Sequence, residues 1–161
     1  MKTGFLVCDA MTQRPISVEY NITIAKCAEI MAESHVSTLI VKKSNQFVGL
    51  LTEKDIVRKV VAEEKDPSRI LASEIAETDF PTIAPEKDIY DAIILMRDKN
   101  IRHLPVMSKK ALVGFLTGKD ILKLQPQLFE FLADKIELRE GERKINLLKE
   151  EQALFNSQKR L

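Results

Sequence analysis

Sliding the 161-residue chain against itself by 65 residues lays Phe47–Ile56 on Leu112–Ile121, and seven of the ten pairs are identical. The same offset, without a gap, pairs Val18 with Ile83, Ile24 with Ile89, Met31 with Met96, Leu39 with Leu104 and Val41 with Val106. Upstream it slips slightly, near Met11 and Ile75. A fixed period of this kind means two copies of one supersecondary unit, and that restricts the fold more than any other feature of the chain. A copy of roughly 60 residues buries little apolar surface alone, so the two copies are expected to pack face to face. Residues 7–60 form repeat 1, 61–69 a polar connector, 70–124 repeat 2 and 125–161 a C-terminal tail.

Each copy carries the same succession of local signals. Ile16–Val18 and Thr82–Ile83 follow prolines and suit short extended segments. Ile24, Cys27, Ala28 and Met31 recur at helical spacing, as do Ile89, Ala92, Ile93 and Met96. Leu39–Val41 and Phe47–Leu51 read as strands around a polar turn, and Leu104–Val106 and Leu112–Leu116 match them. Thr52 and Thr117 end these strands and open short helices. The fold class is therefore α+β, a β-α-β-β-α unit repeated with pseudo-two-fold symmetry. In the tail, Leu128, Phe131, Leu132, Leu138, Ile145, Leu148 and Phe155 suggest one or two amphipathic helices that cap the module or meet a protein partner.

Composition excludes several function classes. Lys and Arg total 25 against 24 Asp and Glu, too even a balance for a strongly basic nucleic-acid binder, and no Trp is present for stacking on bases. No apolar run approaches the roughly 20 residues of a membrane span. Two separated cysteines and two histidines make a four-ligand zinc site hard to assemble, so no metal is expected. No nucleophile–base grouping or Walker-type loop is visible, hence no enzyme and no required cofactor. A cytoplasmic location fits.

The doubled motif Gly-x-x-Thr-x-x-Asp (Gly49, Thr52, Asp55; Gly114, Thr117, Asp120) carries the most chemistry. Structurally, each Thr-x-x-Asp satisfies a helix capping box, with the glycine allowing a bend or close packing. Functionally, a threonine hydroxyl beside exposed backbone N–H groups suits a phosphate, and an aspartate accepts from ribose hydroxyls. The two uses are compatible, because a carboxylate has about four lone-pair sites.

Met11-Thr12 before Pro15–Val18, Arg102–Val106 and the two Gly-x-x-Thr-x-x-Asp endings together resemble a tandem pair of cystathionine β-synthase (CBS) domains of the stand-alone prokaryotic, archaeal type. That resemblance implies two clefts between the repeats, each able to hold an adenosine-containing ligand, and a homodimer of CBS pairs. It assigns ribose and phosphate to Thr52 and Asp55 in one cleft and to Thr117 and Asp120 in the other. The base is assigned to backbone groups of Ser17, Val18, Thr82 and Ile83. Basic groups from the opposite repeat reach the phosphates, which maps onto Arg102 and His103; the matching positions of repeat 1 are Ser37 and Thr38. If these groups cross over, the Thr52/Asp55 cleft is the better phosphate site. The expected protein is a non-catalytic sensor of AMP, ADP or ATP, with S-adenosylmethionine and NAD less favoured. The rival readings are a dimerisation scaffold with vestigial clefts, and a regulator linked to nucleic-acid machinery through a partner.

Overall fold

In a computed structural model, which describes residues 2–124, the repeat period reappears as backbone pairing. The elements are α1 (Val7–Ala10), β1 (Ser17–Glu19), α2 (Ile24–Ser34), β2 (Thr38–Lys43), β3 (Gln46–Thr52), α3 (Glu53–Ile56), α4 (Ala72–Ile75), α5 (Ile89–Lys99), β4 (His103–Ser108), β5 (Ala111–Thr117) and α6 (Gly118–Leu124). A π-helical turn, Val57–Val61, continues α3. The helices expected over 125–161 lie outside the described residues.

Local chemistry sets most boundaries. Thr23 caps α2 by accepting from the Lys26 N–H, and Asp88 caps α5 by accepting from the Tyr90 N–H at 2.8 Å. Both helices end on a residue in the left-handed region, His35 at φ 52° and Asn100 at φ 60°, 65 positions apart. β2 and β3 form an antiparallel hairpin whose turn places Ser44 and Asn45 at φ 50° and 63°, and β4 and β5 pair in the same register. β1 adds in parallel to β2. The expected strand at Thr82–Ile83 shrinks to a single parallel bridge, Ile83 to Val106, so the second sheet has two strands where the first has three.

The largest departure from the sequence reading lies upstream of each β1 position, where two helical turns were not foreseen. α1 does not pack on the repeat that follows it. The Val7 and Cys8 N–H groups donate to the Lys87 and Pro85 carbonyls, and Val7 sits in the core built from α5, β4, β5 and α6. α4 makes the mirror-image excursion: Ala72 and Ser73 donate to Ile22 and Tyr20, and Ala72 and Ile75 complete the core of α2, β2 and β3. Each repeat therefore contributes a segment to the other's core. The pairing keeps the 65-residue offset throughout, so the slip suspected near Met11 and Ile75 is one of side-chain identity and not of backbone register.

Leaving α1 and α4, each chain crosses the end of a hairpin. Thr12 exchanges two backbone hydrogen bonds with Phe115 (2.8 and 2.9 Å), and Glu77 exchanges two with Leu50 (2.8 and 2.9 Å). Gly49 and Gly114 lie beneath these crossings. A Cβ on Gly49 would stand 3.0 Å from the Glu77 carbonyl oxygen and 3.3 Å from the Ala76 Cβ, and one on Gly114 would meet the Met11 side chain. A small third core of Ile40, Leu50 and Phe115, flanked by Phe47, Phe80 and Leu112, joins the repeats.

The crossing predicts the cost of filling the Gly49 position. Valine is a good strand former, yet Gly49→Val should destabilise the protein by about 1–3 kcal/mol through overpacking against backbone. The adjacent exposed Val48→Ala should stay within about 0.5 kcal/mol of wild type. Urea unfolding of the two variants measures this, and equal midpoints would exclude a tight crossing at Gly49.

Candidate functional site

Thr52 closes β3 and Thr117 closes β5, at the points where the chain leaves the ladder and enters a helix. The Thr52 N–H and hydroxyl donate to Asp55 Oδ2 at 3.1 and 2.5 Å, and the Asp55 N–H donates to Thr52 Oγ1 at 3.2 Å. Thr117 and Asp120 repeat this geometry at 2.9, 2.6 and 3.3 Å. Both boxes are thus complete caps. The cap uses only Oδ2, so Oδ1 of each aspartate keeps its lone pairs for another donor.

The starts of β2 and β4 flank the boxes. Thr38 pairs with Thr52 and His103 with Thr117, while the Ser37 and Arg102 carbonyls accept from the Glu53 and Gly118 N–H groups at 3.1 and 2.9 Å. Arg102 and His103 therefore neighbour Thr117 within repeat 2. His103 also senses the other repeat. Its ring stacks on Phe115 of the inter-repeat core, with centroids 5.7 Å apart. Burial pushes its imidazole below the ordinary value and Arg102 adds to this; Asp55 of repeat 1 pulls the other way, while Lys54 lowers it further. Arg102 is exposed and makes no ion pair among the described residues.

At the Asp55 end a residue absent from the sequence reading takes part. Lys59 Nζ lies 3.2 Å from Asp55 Oδ1 and donates to the Ile75 carbonyl, on α4, at 2.9 Å. Partial burial opposes ionisation of Asp55, but the Thr52 hydroxyl and N–H and the Lys59 ammonium outweigh it and hold the carboxyl below the usual range. The i,i+4 spacing of Asp55 and Lys59 was the available signal. At the equivalent place in repeat 2 stands Leu124, and Asp120 has no ion pair among the described residues.

The four backbone positions assigned to a base divide into two kinds. The Ile83 N–H donates to the Pro105 carbonyl, and the Ile83 carbonyl accepts from the Met107 N–H, at 3.1 and 2.8 Å. In repeat 1, the Ile40 N–H donates to Ile16 and the Tyr20 N–H to Lys42, so Val18 is the inward residue of the same alternation. Ser17 and Thr82 face the other way and are exposed, whereas Val18 and Ile83 are buried. Elsewhere His35 is an exposed helix terminus. Cys27 is a core thiol pushed up to about 11 by burial. No described helix is long and apolar enough to cross a membrane.

The CBS domain family model matches residues 7–62 and 72–126. An uncharacterized protein of Methanopyrus kandleri is 33% identical over 101 residues, which are 62% of this chain and 52% of that protein, so the chain spans about half of that relative's length. Among solved structures, the CBS domain pair of protein MJ0100, in complex with 5′-methylthioadenosine and S-adenosyl-L-methionine, is 28% identical with a TM-score of 0.67. The likeness covers 74% of this chain and 98% of that one. The hexameric CBS-CP12 protein from bloom-forming cyanobacteria is 28% identical with a TM-score of 0.67, over 90% of this chain and 88% of that one. Two matched segments, one on each half of a fold whose halves exchange their leading turns, make this chain a member of the CBS domain family, its repeats together forming one CBS pair.

Proposed function

We propose that the chain is a non-catalytic regulatory module that binds AMP, ADP or ATP between its repeats. One end uses Thr52 and Asp55 with Arg102 and His103, the other Thr117 and Asp120. The observation that carries this reading is the position of His103: it pairs with Thr117 of its own repeat and stacks on Phe115, which packs with Ile40 and Leu50 of repeat 1. An imidazole placed between the repeats, beside the Arg102 guanidinium and at a Thr-x-x-Asp box, suits a phosphate attached to a ribose. The adenosine ligands of the MJ0100 pair support the ligand class. Ser17 and Thr82 hold the base in this reading, because the inward backbone groups of Val18 and Ile83 serve the sheets. Residues 7–124 act as one unit, assembled as a homodimer of pairs, and the segment 125–161 meets a protein partner. Ligand binding regulates by favouring one packing of the repeats over another.

A thermal-shift panel of AMP, ADP, ATP, NAD and S-adenosylmethionine tests the ligand class. A ligand at a hundred times its Kd stabilises the native state by about 2.7 kcal/mol. Adenine nucleotides should raise Tm most, with the response reduced in Asp55→Ala and in Asp120→Ala. A flat response to all five compounds would favour a scaffold whose clefts bind nothing.

The ionisation of His103 adds a check on the ligand-free protein. Its folded-state pKa lies below the ordinary 6.5, so below pH 6.5 the unfolded chain binds the proton first. The stability associated with a neutral His103 is present above pH 6.5 and falls as pH drops through that value towards the folded pKa. His103→Gln should flatten this part of the stability–pH curve measured by urea unfolding between pH 7.5 and 5. An identical slope in the variant would rule out a buried, uncharged His103.

A further inference from the structure

The two boxes are alike in how they cap a helix and unlike in what they leave over. Oδ2 of Asp55 accepts from the Thr52 N–H and hydroxyl, and Oδ2 of Asp120 accepts from the same two groups of Thr117. A carboxylate offers about four lone-pair sites, so Oδ1 holds the remaining capacity of each. On Asp120 both lone pairs of Oδ1 stay available among the described residues. On Asp55 the Lys59 ammonium is ion-paired with Oδ1 at 3.2 Å and covers one side of it, which leaves room for one further donor. Lys59 is not a loosely held surface lysine. Its second bond, to the Ile75 carbonyl, ties it to the α4 turn that completes the repeat 1 core, so moving it away breaks two interactions. Leu124, at the equivalent position of repeat 2, has no donor to offer.

A ribose presents two neighbouring hydroxyls, each a donor to a carboxylate. We infer that Lys59 is a specificity-determining residue: it limits Asp55 to one ribose hydroxyl, while Asp120 accepts both. The two ends then differ in sugar discrimination. The Asp120 end rejects an adenosine nucleotide that lacks either hydroxyl, and the Asp55 end tolerates the loss of one. The inference rests on the reading of both aspartates as ribose-binding groups.

Isothermal titration of the full chain with AMP, 2′-deoxy-AMP and 3′-deoxy-AMP tests it. Asp55→Ala reports the Asp120 end, where each deoxy analogue should bind about tenfold or more weakly than AMP, as expected for a lost hydrogen bond to a charged group. Asp120→Ala reports the Asp55 end, where one of the two analogues should bind within about threefold of AMP. Adding Lys59→Leu to Asp120→Ala should convert that end to the two-hydroxyl pattern, and Lys59→Arg should preserve the one-hydroxyl pattern. Leu124→Lys, which leaves the Lys59 contacts untouched, should relax discrimination at the Asp120 end. Unchanged analogue ratios in both the Lys59→Leu and Leu124→Lys backgrounds would overturn the inference, as would equal discrimination at the two ends of the parent. Failure of the underlying reading looks different: AMP would bind the wild type no better than the Asp55→Ala/Asp120→Ala double variant, and both proposals would fall together.

Discussion

Everything else in the molecule depends on the mutual exchange of leading turns between the repeats. Neither hairpin-and-helix unit closes its own core: one takes Ala72 and Ile75 from the chain entering repeat 2, and the other takes Val7 from the chain entering repeat 1. The exchange is fastened where Thr12 meets Phe115 and Glu77 meets Leu50, each through a reciprocal pair of backbone hydrogen bonds. A Cβ at Gly49 would press on the Glu77 backbone of its crossing, so that glycine is a packing requirement, whereas at Gly114 the Met11 side chain stands in the way. The motif's threonine and aspartate, three and six residues on, are thereby held at fixed distance from the opposite repeat.

Capping and recognition share the same atoms here without conflict. One carboxylate oxygen of each aspartate fixes the helix start; the other keeps capacity for further donors, in part at Asp55, where Lys59 is ion-paired with it. Differences between the ends come from neighbours outside the motif. Arg102 and His103 correspond to Ser37 and Thr38 in repeat 1, and Lys59 corresponds to Leu124 in repeat 2. With formal charge close to zero over the whole chain, such placed groups, and not a general basic field, distinguish one end from the other. The Asp55 end is the more heavily engaged among the described residues, through its ion pair with Lys59.

Features encoded by short-range patterns were legible before any coordinates. The two hairpins follow from alternating apolar residues around polar turns, the helices from Ile24, Cys27 and Met31 and their counterparts, and the boxes from Thr-x-x-Asp. The leading turns lack a sequence signal because Leu6 and Leu71 occupy the cap position. Their N–H groups are satisfied by Asp9 and Glu74 at 2.8 and 2.6 Å, but no capping hydroxyl or amide announces the start. Thr82–Ile83 reads as a strand on residue type, yet Pro105 and Pro85 stand where Ile40 and Tyr20 donate to the repeat 1 ladder and have no N–H to give, which leaves the single bridge of Ile83 to Val106. Beyond its i,i+4 spacing from Asp55, Lys59 carries no sequence signal, since its second acceptor, the Ile75 carbonyl, lies sixteen residues away on α4.

By itself, the sequence determined the repeat, the α+β class, the placement of both capping boxes and, through the doubled motif, the family. The class and the boxes follow from residue type and spacing over a few turns of chain, the repeat from self-similarity at 65 residues, and the family from the resemblance of its motifs. Only the tertiary structure decided which repeat each leading turn completes, which side of Ser17–Val18 and Thr82–Ile83 faces away from the sheets, and that, among the described residues, Asp55 but not Asp120 is ion-paired with a lysine. Those outcomes depend on which distant segments meet. A period of 65 residues fixes that two units exist and are equivalent, but the same period is satisfied whether each unit closes on itself or on its neighbour. Burial of Val7, Ala72 and Ile75 selects the exchange.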